Sequence, residues 1–398
     1  MTNTAPRLMI LGAGIFQLAG IRRAADLGCE VITVDYLPDN IGHRFSNESV
    51  DASTTDVDAV LDAARRMNID GIVTFSSDVA TRTAALVGHH LGLPGPSVST
   101  VDIMSNKSQF RRFQAERALP SPLSTTINDL GDVERLTQNW TEPAMVKPVD
   151  SSGSRGVHLV TAPLEWQAAV EAALTHSRTG QAVVESVVEG TEVGGDAFFL
   201  DGEMISGVVT SKYLEGFLVA GHSLPSHIPS RDQKRVLDAV SKTCRELGYI
   251  DGPVNFDVMI QQQRVVVLEL SPRTGGNGIP DLIEYATGFD EYAATVHQAL
   301  GRPVNLEKNS EQRGCGSAVF ASQEAGRLVG LVDPDEATRT HPDLLAVYSR
   351  YRIGDSIPAH THGGTAMGYV LFSCASQTEY LRKVETLPAI LQMEVEKS

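Results

Sequence analysis

The first 95 residues alternate short apolar runs with helically spaced segments, and this alternation constrains the fold more than any other feature of the chain. The run 7–11 leads into Gly12 and Gly14, a helical pattern reaches Gly28, and 30–35 is strand-like. A second unit follows, with helical spacing at 57–67 and 79–91 around the β-rich run 71–75, and Pro94-Gly95-Pro96 ends it. Strands alternating with helices predict a parallel, doubly wound sheet. Beyond 101 the character changes. A helix is predicted over 102–117, then an extended run at 143–147 and antiparallel strands at 182–189, 193–200, 204–209, 254–260 and 264–270. The last two read as a hairpin through Gln261-Gln262-Gln263. The final hundred residues mix short strands with the Gly-rich His360-Thr361-His362-Gly363-Gly364 and a helical segment at 379–387. The fold class is therefore α/β and α+β, divided into a Rossmann-like domain at 1–100, a central domain at 101–300 and a small α+β domain at 301–398.

Several function classes are disfavoured. Gly12-x-Gly14, with Asp35 where a ribose acceptor would stand, invites a dinucleotide-binding reading. Gln17 occupies the third glycine position, and its side chain would crowd the helix–strand contact, so the turn is read as one that closes a βα unit or faces a substrate. Lys plus Arg total 33 against 49 for Asp plus Glu, a net charge of −16, which argues against a non-specific grip on nucleic acid or anionic membrane. Cys29, Cys244, Cys315 and Cys374 form no C-x-x-C pair and read as reduced, unreactive thiols. His360 and His362 lack neighbouring Cys or acid ligands and do not read as a zinc site. Met1–Arg7 carries no basic leader and no apolar run is long enough to cross a bilayer, so the expected location is the cytoplasm.

The residues that carry chemistry begin with Met145-Val146-Lys147-Pro148 and the loop Ser151-Ser152-Gly153-Ser154-Arg155-Gly156. A lysine at a strand end followed by small residues supplies a cation and free N–H groups that can surround a phosphate; the alternative is a flexible hairpin with a surface lysine. Downstream lie Asn255-Phe256-Asp257 and Glu269-Leu270-Ser271-Pro272-Arg273. On adjacent hairpin strands Asp257 and Glu269 would share one face and could hold Mg²⁺, with Arg273 reaching the same phosphates as a forked donor.

Lys107, Lys147 with its Ser/Gly loop, the 185–192 segment, Asp257 and Glu269-x-Ser-x-Arg273, in this order, resemble the ATP-grasp superfamily. The resemblance is strongest to its carbamoyl-phosphate-synthase-like and carboxyaminoimidazole-ribonucleotide-synthase-like branch, and it runs over nearly the whole chain. It implies an ATP-grasp fold with a lid subdomain at about 120–187. It assigns ATP phosphates to Lys107 and Lys147, the covering loop to Ser152, Gly153, Ser154 and Gly156, and the adenine-reading hinge to Glu185, Val187 and Val188. Glu192 becomes the ribose acceptor, Asp257 and Glu269 the holders of two Mg²⁺ ions (Mn²⁺ as a substitute), and Arg273 the group that stabilises an acyl phosphate. Ser271 stands where the family usually has Asn, a poorer metal ligand.

The implied activity is an ATP-dependent carboxylate–amine ligase that passes through an acyl phosphate and releases ADP and phosphate. A bicarbonate-activating carboxylase and a non-catalytic nucleotide-binding regulator are the alternatives. Small-molecule carboxylate and amine substrates, no nucleic acid, no membrane and a homodimer are the expected partners. The loop 221–227 resembles a substrate-facing loop, with His222 either touching substrate or serving the loop. Gly275, Gly276 and Asn277 follow Arg273 and could offer free amides to a substrate carboxylate, or simply form a turn.

Overall fold

The computed structural model describes residues 5–140, 143–262, 264–306 and 313–397. Met1–Thr4, part of the stretch read for a leader, and Gln263, part of the expected hairpin connection, lie outside the described residues. The opening alternation forms a parallel sheet in the order Glu48–Val50, Glu30–Val34, Arg7–Leu11, Gly71–Val73. Its central strand is apolar on both faces. Leu8 and Ile10 enter a core shared with Phe75, Tyr292 and Val296, while Met9 and Leu11 enter another with Val60, Ala63 and Val87.

An eight-stranded antiparallel sheet follows, ordered Arg264–Ser271, Gly252–Gln261, Thr191–Leu200, Glu203–Glu215, Leu218–Leu224, Cys315–Phe320, Gly368–Ser373, Leu344–Ser349. Helix Ser230–Leu247 buries Val236, Val240 and Cys244 on one side of it. A separate four-stranded sheet, Ser124–Ile127, Ala182–Ser186, Ala144–Pro148, His158–Val160, packs on helix Trp166–His176 through Val146, Val170 and Val184. This small sheet, between residues 124 and 186, is the part of the chain for which a lid is expected.

Four expectations change. The single helix over 102–117 is two, Val98–Met104 and Lys107–Glu116, because the Asn106 side chain accepts from Gln109 N and caps a new start; Lys107 thereby becomes the first helical residue. The strand expected over 182–189 ends at Ser186. His222 does not lie on a loop: Gly221–Leu224 is strand, paired on one side with Cys315–Ala318 and on the other with the Glu203–Glu215 strand. The sheet also runs on past residue 300, since three of its eight strands come from the last hundred residues, so a division at 300 crosses continuous hydrogen bonding. All four cysteines are free and buried, and burial raises their thiols, Cys374 to about 11.

Candidate active site

The site is built where the hairpin, the lid sheet and the helix beginning at Lys107 converge. Asp257 and Glu269 are direct cross-strand partners, so the two-residue period of the strands puts both carboxylates on one face. Lys107 Nζ lies 3.0 Å from Glu269 Oε1 and donates to Ser151 O, at the foot of the Ser/Gly loop. Burial alone would lower the Lys107 ammonium, but Glu269 outweighs it and the group is held charged.

Lys147, on strand Ala144–Pro148, reaches Glu185 Oε2 at 2.9 Å, and Arg111 Nε reaches Glu185 Oε1 at 2.8 Å. Burial would raise the Glu185 carboxyl, yet Lys147 and then Arg111 bring it down to about 2. Its side chain is therefore a strut between two cations, and any hinge contact must come from the backbone after it. Val187 N is already given to Pro143 O at 3.4 Å. In the loop, Gly153, Ser154 and Gly156 all adopt positive φ (64°, 60° and 71°), the left-handed region that favours glycine. A Cβ at Gly156 would come within 2.9 Å of His176, so glycine is required there on steric as well as conformational grounds.

Two cations, Arg111 and Lys212, were not singled out in the sequence. Lys212 Nζ sits 2.7 Å from both Glu192 Oε1 and Asp257 Oδ1, its side chain 6% exposed. Those two carboxylates, Asp257 first, raise the ammonium well above its ordinary range against the cost of burial. The signal was present as a lone lysine in the apolar strand Glu203–Glu215, a place where an unpaired charge would be untenable. His222, directly across from Lys212, is 3% exposed and shares a hydrogen bond with Thr210 Oγ1 at 2.9 Å. Desolvation, then Lys212, pushes its imidazole down to about 3, so it is neutral. Gly194 keeps this corner open: a Cβ there would stand 3.2 Å from Asp257 Oδ1 and 3.4 Å from His222 Cε1.

Arg273 is not aimed at the acid pair. Its guanidinium is 2.6 Å from Asp78 Oδ1, at the first turn of helix Asp78–Leu91, and donates to Asn255 Oδ1 and Thr274 O. Asp78 was likewise not singled out, since nothing local marks a partner 195 residues away. The amides of the following turn are not all free. Gly275 N donates to Asp196 Oδ2 at 2.6 Å because Asp196 is buried and needs a donor, and Gly275 O accepts from Ser76 Oγ. Open space remains in front of Gly276, and Asn277 adopts φ 54°.

The residues fit a Mg²⁺–nucleotide complex. Lys107, Lys147, Arg111, Lys212 and Arg273 are matched by Glu269, Glu185, Glu192, Asp257 and Asp78. Among the described residues no cluster of three or more His, Cys, Asp or Glu could cage a metal alone. A pair of acids is what suits Mg²⁺, which takes its remaining ligands from phosphate and water.

Residues 140–281 match the ATP-grasp domain family. The chain is 24% identical over 342 residues to the formate-dependent phosphoribosylglycinamide formyltransferase of Wolinella succinogenes, covering 84% of this chain and 86% of that protein. It is also 24% identical to carnosine synthase 1 of Mus musculus, over 77% of this chain and 41% of that protein. An L-amino acid ligase from Bacillus licheniformis superposes with a TM-score of 0.83 at 19% identity, over 100% of both chains. Among the described residues no helix is long and apolar enough to cross a membrane. Residues 140–281 thus match the ATP-grasp domain, a stretch that holds the hairpin carrying Asp257 and Glu269, and the chain as a whole shares the fold of the L-amino acid ligase.

Proposed function

We propose that the chain is an ADP-forming carboxylate–amine ligase that acts through an acyl phosphate, with an amino acid as one substrate. The observation that carries this reading is the pair Asp257 and Glu269, opposed across one hairpin, each touching a lysine, beside the loop that follows Lys147. Asp257 and Glu269 would hold Mg²⁺, whose charge would offset that of the phosphoryl oxygens. Lys107 exchanges Glu269 for a phosphate oxygen when nucleotide enters, so neither charge is left buried and unpaired. Lys147 and the 152–156 amides hold the terminal phosphates, Val188 and the adjoining backbone read adenine, and Glu192 accepts from the ribose.

The substrate carboxylate attacks the γ-phosphorus and ADP departs. The amine then attacks the acyl carbon, and phosphate leaves with one former carboxylate oxygen. Arg273, set by Asp78 and Asn255, orients the carboxylate together with Gly276 and Asn277. His222 lies neutral beside the acid pair, where it contacts substrate without adding charge. The relatives support the choice of substrates: one is an L-amino acid ligase and another depends on formate, itself a carboxylate. A cytoplasmic homodimer completes the reading.

The test is ADP and phosphate release from Mg-ATP against amino acids, small dicarboxylates, amino sugars and bicarbonate, singly and in pairs. Release that needs one acid plus one amine supports the ligase. Release that needs bicarbonate replaces it with the carboxylase.

A further inference from the structure

The motif His360-Thr361-His362-Gly363-Gly364 takes no part in the site above, yet it lies against the phosphate loop. Gly363 N donates to Gly153 O at 2.9 Å, and a Cβ at Gly363 would stand 3.3 Å from Gly153 Cα. Beside this contact opens a crevice of about 540 Å³ lined by Arg155, Gly156, His176, Thr361 and His362. Arg155 Nη2 stands 3.3 and 3.4 Å from the two ring nitrogens of His362. Gly364 N donates to His362 Nδ1 at 3.1 Å, which makes Nδ1 the acceptor and leaves the proton of the neutral ring on Nε2. Arg155 Nη2 and His362 Nε2 are thus two donors facing one space.

The surroundings are cationic. Arg350, whose Nη1 holds Gly364 O at 2.7 Å, has a buried Nε without a partner. Burial first, then Arg155, His360, His176 and Arg350, depress the His362 imidazole. Among the described residues neither Arg155 nor Arg350 makes an ion pair with a carboxylate. Glu215 acts on the neighbouring His360. An arginine within 3.4 Å of the ring excludes a bound metal cation. Converging donors and two arginines without an ion-pair partner among the described residues suit an oxyanion.

We infer that this crevice between the lid and the C-terminal loop binds the anionic group, phosphate or carboxylate, of the ligase's second substrate. The inference rests on the ligase reading for its purpose but not for its test. Lid closure and substrate binding are linked by it: the loop that covers ATP carries Arg155, so an acidic substrate helps to hold the loop down.

The full-length protein is titrated calorimetrically with ethyl phosphate and with succinate, with the nucleotide site filled by Mg–AMP-PNP. Binding of either probe that weakens about 10- to 100-fold in Arg155→Gln, and recovers in part in Arg155→Lys, is expected from the loss of a charge-assisted bond. The tighter probe names the class of anion. Turnover supplies the second arm: KM for an acidic substrate rises in Arg155→Gln while KM for a neutral analogue does not. Competition between probe and AMP-PNP, equal binding to wild type and Arg155→Gln, or equal loss with acidic and neutral substrates would overturn the inference. If no acid–amine pair releases ADP, the ligase reading fails, and the titration still decides whether the anion site exists.

Discussion

Two glycine turns follow β-strands in this chain, and they do opposite things with their N–H groups. At Gly12–Gln17 the donors are consumed internally: Ala13 N goes to Asp35 Oδ2, Gly14 N to Gln17 Oε1 and Gly12 N to Val34 O. Gln17 then donates to Phe75 O, which fastens the turn to the neighbouring strand end. At 152–156 the positive-φ residues hold few such bonds. The Ser154 hydroxyl donates to Phe217 O and Gly363 N donates to Gly153 O, so the loop is anchored through a side chain and a carbonyl and not through its amides. A glycine turn serves phosphate when its donors are left over, and the presence of glycine alone does not decide it.

The comparison can be broken by substitution. Glu269→Ala and Lys147→Ala should each lower turnover at least about 10³-fold, because each removes charge compensation in the transition state. Circular dichroism should show both variants folded. Wild-type ADP release by either would remove the second turn from the active site. Gly156→Ala is expected to cost about 10- to 100-fold in kcat/KM for ATP, since the loop must shift to admit a methyl group against His176. Gln17→Ala should do the reverse, with thermal unfolding reporting a loss of about 1–3 kcal/mol from unmet buried partners and with KM for ATP unchanged. A nucleotide effect there would blur the distinction between the two turns.

The smallest effect concerns pH. His222 has a folded value of about 3 against an ordinary 6.5, so its neutral form is the one the fold favours. Its contribution is fully present above 6.5 and is lost as pH falls from there toward 3, because the unfolded chain binds the proton first. His222→Asn should therefore lose less stability than wild type between pH 7 and pH 4.5, read as the difference in Tm. An identical slope in both proteins would mean that the imidazole is not held neutral.

Legibility in the sequence tracked how local the cause was. Asp257 and Glu269 could be paired because strand periodicity and a short hairpin fix their register within a few residues. The parallel sheet at 7–73 was legible because three of its four strands, all but Glu48–Val50, are apolar on both faces. Lys212 was not, since its worth depends on Glu192 and Asp257, brought to it by two different strand pairings. Arg273 was legible as a cation but its direction was set by Asp78 on another sheet's helix. The Gly275 amide looked free until Asp196, buried on a neighbouring strand, claimed it. His222 resembled a loop residue because polar and small neighbours surround it, and only strand Cys315–Phe320 arriving from beyond residue 300 makes it part of a sheet.

The central claim is that a carboxylate is phosphorylated by ATP before an amine displaces the phosphate. It is tested most directly by supplying the substrate acid with ¹⁸O in its carboxylate and analysing the phosphate released under turnover. One ¹⁸O per phosphate is the predicted result, because the attacking oxygen stays on phosphorus when the acyl carbon is taken by the amine. Phosphate free of label, with product still formed, would contradict the account.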